Sequence, residues 1–168
     1  MSRPQEKKAS RPTVEVRLAG PGDEAAIAEV LFEAFSMSRD GYTPEAFAAV
    51  TPDADEVSKR FAEGANWVAA LDNEIVGTVS VVPEPEWLYI RSLGIRPAAL
   101  RLGIASKLLT VVEEYAREHG FEKLFLYTTY FSKGAIELYE KSGFTRGRDT
   151  TAEEWFGTPG LEMWKELS

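Results

Sequence analysis

The segment from residue 87 to residue 129 constrains the fold more than any other. A strand-like run over residues 87–95 feeds a short loop and then an amphipathic helix over about 102–118. That helix carries Ile104, Leu108, Leu109, Val112 and Tyr115 on one apolar stripe, and Gly120 stops it. Residues 123–129 then read as a second strong strand. Two strands joined through such a helix favour a right-handed parallel crossover within one sheet. The loop entering the helix holds Gly103 and Ala105. The first helical turn exposes main-chain N–H groups without intrahelical partners, and its dipole favours negative charge. Small residues there let a phosphate approach the backbone closely, so the segment reads as a cradle for a phosphorylated ligand.

The flanking elements fit around this unit. Residues 13–18 alternate and predict a first strand. Gly20-Pro21-Gly22-Asp23 predicts a turn, with Asp23 capping a helix in which Ile27, Val30, Leu31, Ala34 and Phe35 recur at helical spacing. A second helical zone runs over about 44–63, split at Thr51-Pro52-Asp53 with Pro52 opening its second half. Residues 67–71 and 75–82 form a hairpin about Asp72-Asn73-Glu74, ended by Pro83 and Pro85. Residues 132–142 predict a short helix closed by Gly143, and residues 144–164 two further strands with a loop at 156–160. An antiparallel hairpin beside a parallel crossover predicts a mixed sheet with helices on both faces.

Composition narrows the chemistry. A length of 168 residues suits one domain, over residues 13–168, preceded by a polar, proline-containing tail at 1–12 that is expected to be disordered. Cysteine is absent, which removes disulfides, thiolate metal sites and a cysteine nucleophile. No apolar run approaches the roughly 18 residues of a membrane span. The start lacks an apolar signal core, so a cytoplasmic protein without membrane partners is expected. The net charge is −8, while the tail sets Arg3, Lys7, Lys8 and Arg11 against Glu6, so the body is more acidic still. Such a body argues against nucleic acid as a partner and suits a cationic one. His119 is the only histidine and sits beside the helix-ending Gly120, where terminal carbonyls are its natural partners. A zinc cluster or a Ser/His/Asp triad has no support, and no metal is expected.

Two phosphate-binding patterns do not fit the Gly103 loop. The nucleotide P-loop needs Gly-Lys-Ser/Thr, whereas Ile104 and Ala105 follow Gly103. The dinucleotide fingerprint needs several spaced glycines and an acid ending the next strand, which here ends in Tyr127-Thr128-Thr129. A third pattern matches. Ile95-Arg96-Pro97, then Leu100-Arg101-Leu102-Gly103-Ile104-Ala105, and later Ala135, Tyr139, Gly143 and Phe144 resemble the GNAT superfamily of N-acetyltransferases. That family typically reads V-x-P, then Q/R-x-x-G-x-G/A opening a helix, then A-x-x-x-Y-x-x-x-G-F. The element order agrees as well, so the resemblance covers residues 13–168.

The resemblance implies an α/β fold: a GNAT-like mixed, mostly antiparallel central sheet of about seven strands with helices on both faces. It implies an acetyl-CoA-dependent N-acetyltransferase that moves an acetyl group directly to a primary amine of a small molecule or protein, in a ternary complex. Acetyl-CoA is then the co-substrate. The strand ending at Leu93, Gly94 and Ile95 splays from the strand at 124–129, and the pantetheine arm pairs with backbone in that opening. The pyrophosphate rests on the loop of Leu100, Arg101, Leu102, Gly103, Ile104, Ala105 and Ser106. A main-chain N–H near Leu93 to Ile95 polarises the thioester carbonyl. Ser132 and Ala135 complete the coenzyme contacts. Leu100 departs from the usual Gln/Arg, with Arg101 beside it able to supply charge. Ser132 stands where asparagine is common, and its hydroxyl can still hydrogen-bond.

Tyr139 is the residue the family points at the CoA sulfur, where it hydrogen-bonds the departing thiolate. Glu86 and Tyr89, on or just before the fourth strand, are the candidates for a general base, with Tyr127 and Thr128 on the opposite wall. Residues 149–156 mix acids with aromatic rings, which suits either a cationic acceptor, a partner chain or a plain hairpin loop. Without cysteine no acyl-cysteine intermediate forms, which favours direct attack of the amine. Two alternatives remain: a non-catalytic acyl-CoA-binding module of the same fold, and transfer to a hydroxyl or of a different acyl group. A monomer and a homodimer are both compatible with the family.

Overall fold

The structure is a computed structural model that describes residues 13–132 and 134–168. The tail expected at residues 1–12, and Lys133, lie outside the described residues. Strand β1 (Val14–Leu18) leads through a tight turn into α1 (Glu24–Ser36), followed by two short helices, α2 (Pro44–Val50) and α3 (Ala54–Arg60). A meander of β2 (Asn66–Leu71), β3 (Glu74–Pro83) and β4 (Leu88–Ile95) precedes the long helix α4 (Ile104–Glu118). Then come β5 (Lys123–Thr128), α5 (Ala135–Lys141), β6 (Thr145–Asp149) and β7 (Leu161–Glu166). The seven strands form one sheet in the order β1-β2-β3-β4-β5-β7-β6. Only the β4–β5 pair is parallel, as the crossover through α4 requires.

Helices cover both faces because the central strands are apolar on both sides. Val76, Val79, Val81, Leu88, Ile90, Leu124 and Leu126 are all buried. Helix α4 lays Ile104, Leu108, Leu109, Val112 and Ala116 against one face. Gly77 leaves room for it, since a Cβ there would lie 3.1 Å from Ile104 Cγ2. Helix α1 covers the other face with Ile27 and Leu31, which pack with Val57 and Val68. Gly94 permits that approach, because a Cβ would lie 3.0 Å from Leu31 Cδ2.

Several ends differ from the sequence expectation for local reasons. Asp23 does not cap α1 with its side chain; Arg17 (2.8 and 2.9 Å) and the Gly20 N–H (2.9 Å) hold the carboxylate instead. The split in the second helical zone comes from Asp53, not from Pro52. The Asp53 carboxylate accepts from the Glu56 N–H at 2.9 Å, and the Glu56 side chain reaches back to the Asp53 N–H, a reciprocal capping box. Removing that cap by Asp53→Ala should cost about 1 kcal/mol. For a chain of this size that lowers Tm by about 2–4 °C, which calorimetry of wild type and variant measures. Helix α5 begins at Ala135 rather than Ser132, because Gly134 at φ +82° turns the chain into it. His119 meets its expected partner: Nδ1 lies 2.9 Å from the Tyr115 carbonyl.

The feature that shapes the site is the parting of β4 and β5. They pair only at Leu88 with Leu124 and Tyr89 with Phe125. Beyond that point β4 carries a bulge. Arg91 faces Ser80 and Gly94 faces Thr78, so Ser92 and Leu93 together oppose the single residue Val79. Ser92 sits at φ +58°, a region residues with side chains rarely adopt. A bulge bends and twists its strand, and here it turns β4 away from β5 and opens a V between them.

Candidate active site

The V between β4 and β5 continues into a cleft of about 1320 Å³. Its walls come from β4, the end of β5, α5, the loop after α1, and Trp155 from the β6–β7 loop. Two of these loops are tied together. Thr43 Oγ1 donates to the Phe156 carbonyl at 2.5 Å, and the Thr43 N–H donates to Thr158 Oγ1 at 3.0 Å.

One end of the cleft is the loop into α4. Arg96 anchors it: its Nε donates to the Ile75 carbonyl at 2.8 Å, and its Nη1 pairs with Glu29 at 2.8 Å and Glu33 at 2.5 Å. A 3-10 turn, Pro97–Ala99, follows. Arg101 at φ +67° and Gly103 at φ +76° then reverse the chain into the helix. The first bond of α4 runs from the Lys107 N–H to the Gly103 carbonyl at 3.1 Å. Among the described residues, none of the six main-chain N–H groups from Arg101 to Ser106 has an acceptor. The first turn also contains no acidic side chain. Free donors at the positive end of a fifteen-residue helix are an arrangement that favours negative charge.

The sequence-derived residues sort by geometry. Leu93, Gly94, Ile95, Leu100, Arg101, Ala105, Ser132, Ala135, Tyr139 and Tyr89 line the cleft. Leu102, Gly103 and Ser106 are exposed, the Ile104 side chain is buried, and these four are not among the residues lining the cleft. Ser132 Oγ lies 2.5 Å from Thr129 Oγ1. Glu86, one candidate base, is exposed in the turn closed by the Glu84 N–H donating to the Trp87 carbonyl and is not among the residues lining the cleft. Tyr89, the other, lines the cleft, and burial pushes its phenol up to about 12.

Tyr139 sits on α5, buried, with its ring edge-on to Phe144 at 5.7 Å. Burial, and then the neighbouring Tyr42 and Tyr89, raise its phenol well above the ordinary tyrosine value. The residue lines the cleft, and near neutral pH its phenol keeps its proton.

Three residues escaped the sequence reading: Tyr42, Arg60 and Arg91, all in the cleft wall. Arg91 had a signal, since it stands two residues after Tyr89 on the same strand and so shares its face. Arg60 had none, because it is one of two basic residues in the last turn of a short helix. The acidic-aromatic stretch at 149–156 proves to be a braced loop. Arg148 pairs with Glu154 at 2.5 Å and Glu162 at 3.0 Å. Its hydrogen bonds, with that from the Thr151 N–H, hold the Glu154 carboxyl down to about 2. This loop carries Trp155 to the cleft.

Comparison with known proteins gives the arrangement a context. The YjgM N-acetyltransferase of Escherichia coli is 33% identical over 132 residues, spanning 73% of this chain and 76% of its own length. A camello N-acetyltransferase of Xenopus tropicalis is 33% identical over 85 residues, which is 49% of this chain but only 39% of that protein. Among solved structures, PaiA N-acetyltransferase from Thermoplasma acidophilum, in complex with coenzyme A, superposes with a TM-score of 0.79 at 18% identity, over 92% of this chain and 99% of that one. A GNAT family acetyltransferase from Elizabethkingia anophelis with acetyl-CoA bound gives 0.71 at 19% identity, over 92% and 98%. The sheet of seven strands and its flanking helices are thus the fold of these enzymes. The model of the acetyltransferase (GNAT) family matches residues 27–144, which contain both the free amides before α4 and Tyr139, and the chain belongs to that family of transferases.

Proposed function

We propose that this enzyme takes acetyl-CoA as its acyl donor and transfers the acetyl group directly to a primary amine in a ternary complex. The observation that carries this reading is the row of six unengaged amides from Arg101 to Ser106, opening onto the parting strands β4 and β5. That cradle suits a pyrophosphate, and Arg101 beside it adds charge. The V leaves strand edges without partners beyond Tyr89 and Phe125, to which an extended amide-containing arm pairs as an added strand would. Tyr139 then donates to the sulfur as the thiolate departs. Burial weakens it as an acid, so it stays protonated and acts by hydrogen bonding rather than as a strong acid. Glu86 lies outside the cleft, and the acceptor loses its proton to water before attack.

Isothermal titration tests the first half: acetyl-CoA should bind with measurable heat, and absence of binding overturns the reading. Release of free CoA across an amine panel tests the second. Its pH profile carries a sign. Turnover should rise with pH as the ammonium acceptor loses its proton. It should show no descending limb below about pH 10, because Tyr89 and Tyr139 both remain protonated there. A fall between about pH 8 and 9 would assign the proton donor to some other group.

A further inference from the structure

We propose that Arg60 and Arg91 form a seat for a carboxylate on the acceptor, so that the acceptor amine is an amino acid with an apolar side chain. This names the substrate class of the same cleft and rests on the acetyl-transfer reading above.

The charge of the cleft runs against that of the body. The chain is at −8 overall, yet Arg39, Arg60, Arg91, Arg101 and Lys141 line the cleft against Asp40 and Glu137. Arg60 is the unusual member. Its Nη1 donates to Ser92 Oγ at 2.7 Å and its Nη2 to the Ala49 carbonyl at 3.5 Å, and it has no carboxylate partner among the described residues. Arg91 pairs with the half-exposed Glu63 at 3.2 Å, and its Nε is buried without a partner. Burial, and then the like charge of Arg91, bring the Arg60 guanidinium down to about 10. Two half-buried cations stand beside each other, with Glu63 on Arg91 alone, and an anion bridging both would gain from each. A guanidinium presents a planar fork of N–H donors that fits a carboxylate, and Arg91 Nε is a donor still to be used.

The pair sits at the part of the cleft where β4 leaves β5. Ser92, which receives Arg60, is the bulge residue at the head of the V, directly before Leu93. Arg60, Arg91, Tyr89 and Tyr139 all line the same cleft, so a carboxylate seated on the arginines belongs to the molecule whose amine reacts there. An α- or β-amino acid carries both groups within one small acceptor. The remaining wall is aromatic: Tyr89 and Tyr127 lie 5.8 Å apart edge to face, and Tyr127 and Trp155 6.4 Å apart. These rings give an apolar side chain its surface. In the transfer, the ammonium first loses a proton to water. The neutral nitrogen then forms a bond to the acetyl carbon as the carbon–sulfur bond breaks. The electron pair leaves on sulfur, and the second proton lost from nitrogen balances the one that makes the free thiol.

Kinetics with L-phenylalanine and 2-phenylethylamine, which differ only by the carboxylate, read the proposal directly. Wild type should prefer the acid by at least tenfold in kcat/KM, Arg60→Met should lower that preference at least tenfold, and Arg60→Lys should restore part of it. A binding measurement does not depend on turnover. Titration of 3-phenylpropanoate into the CoA-saturated protein should give heat with wild type and none with Arg60→Met or Arg91→Gln, while each variant still binds CoA. Equal or better use of 2-phenylethylamine by wild type overturns the proposal. So does 3-phenylpropanoate binding that is absent from wild type or equal in all three proteins. Failure of wild type to bind CoA overturns the acetyl-transfer reading itself, a separate result from the same instrument.

Discussion

Replacing Tyr139 by phenylalanine should lower kcat about a hundredfold, the lower range for loss of a positioned proton donor, and leave the affinity for acetyl-CoA within about threefold. The expected split follows from the place of the residue, which lines the cleft from α5. The ring keeps its edge-on contact with Phe144, and phenylalanine fills the same volume. What the variant lacks is a donor for the developing thiolate, an interaction made in the transition state and only weakly in the ground state. Steady-state kinetics with titrated binding separates the two quantities. An unchanged kcat would return Tyr139 to the role of a core aromatic.

Gly103→Val should weaken binding of CoA at least tenfold, about 1.4 kcal/mol, while the domain stays folded. Gly103 sits at φ +76°, and a Cβ built there meets nothing within 4 Å. The cost is therefore backbone strain and not a clash, on the order of 1–2 kcal/mol for a side chain in the left-handed region. The loop relieves that strain by rotating Gly103 and its neighbours, which moves the N–H groups from 101 to 106 out of convergence. Calorimetry of CoA binding, beside circular dichroism of the folded state, checks both halves. Wild-type affinity in the variant would make Gly103 a turn residue and remove the cradle from the mechanism.

The positions of these two residues were readable in the chain before any coordinates, because local geometry defines them. A glycine entering an amphipathic helix marks exposed amides whatever surrounds it, and a tyrosine four residues after Ala135 and four before Gly143 is set by helix spacing. The parallel crossover was equally legible, because periodicity and the handedness of β-α-β units leave few alternatives. The capping residues were less so. Asp23 and Asp53 look alike as helix starters, yet Arg17 captures one carboxylate and Glu56 completes a box with the other.

Glu86 shows where such reading ends. Nothing in Pro83-Glu84-Pro85-Glu86 says whether a carboxylate faces solvent or substrate, and the turn faces solvent. Tyr89 lies at its expected place in the cleft, but burial keeps its proton on, and burial is a property of the whole packed site. The order of elements, the free amides and the donor hydroxyl are written in sequence-local pattern, since each depends on a handful of neighbouring dihedral angles. The charge of the acceptor end is not. It arises because a bulge at Ser92 brings β4 against the end of α3, joining Arg60 to Arg91 across thirty-one positions of chain. Only tertiary packing decides which distant side chains share one small, partly dry volume.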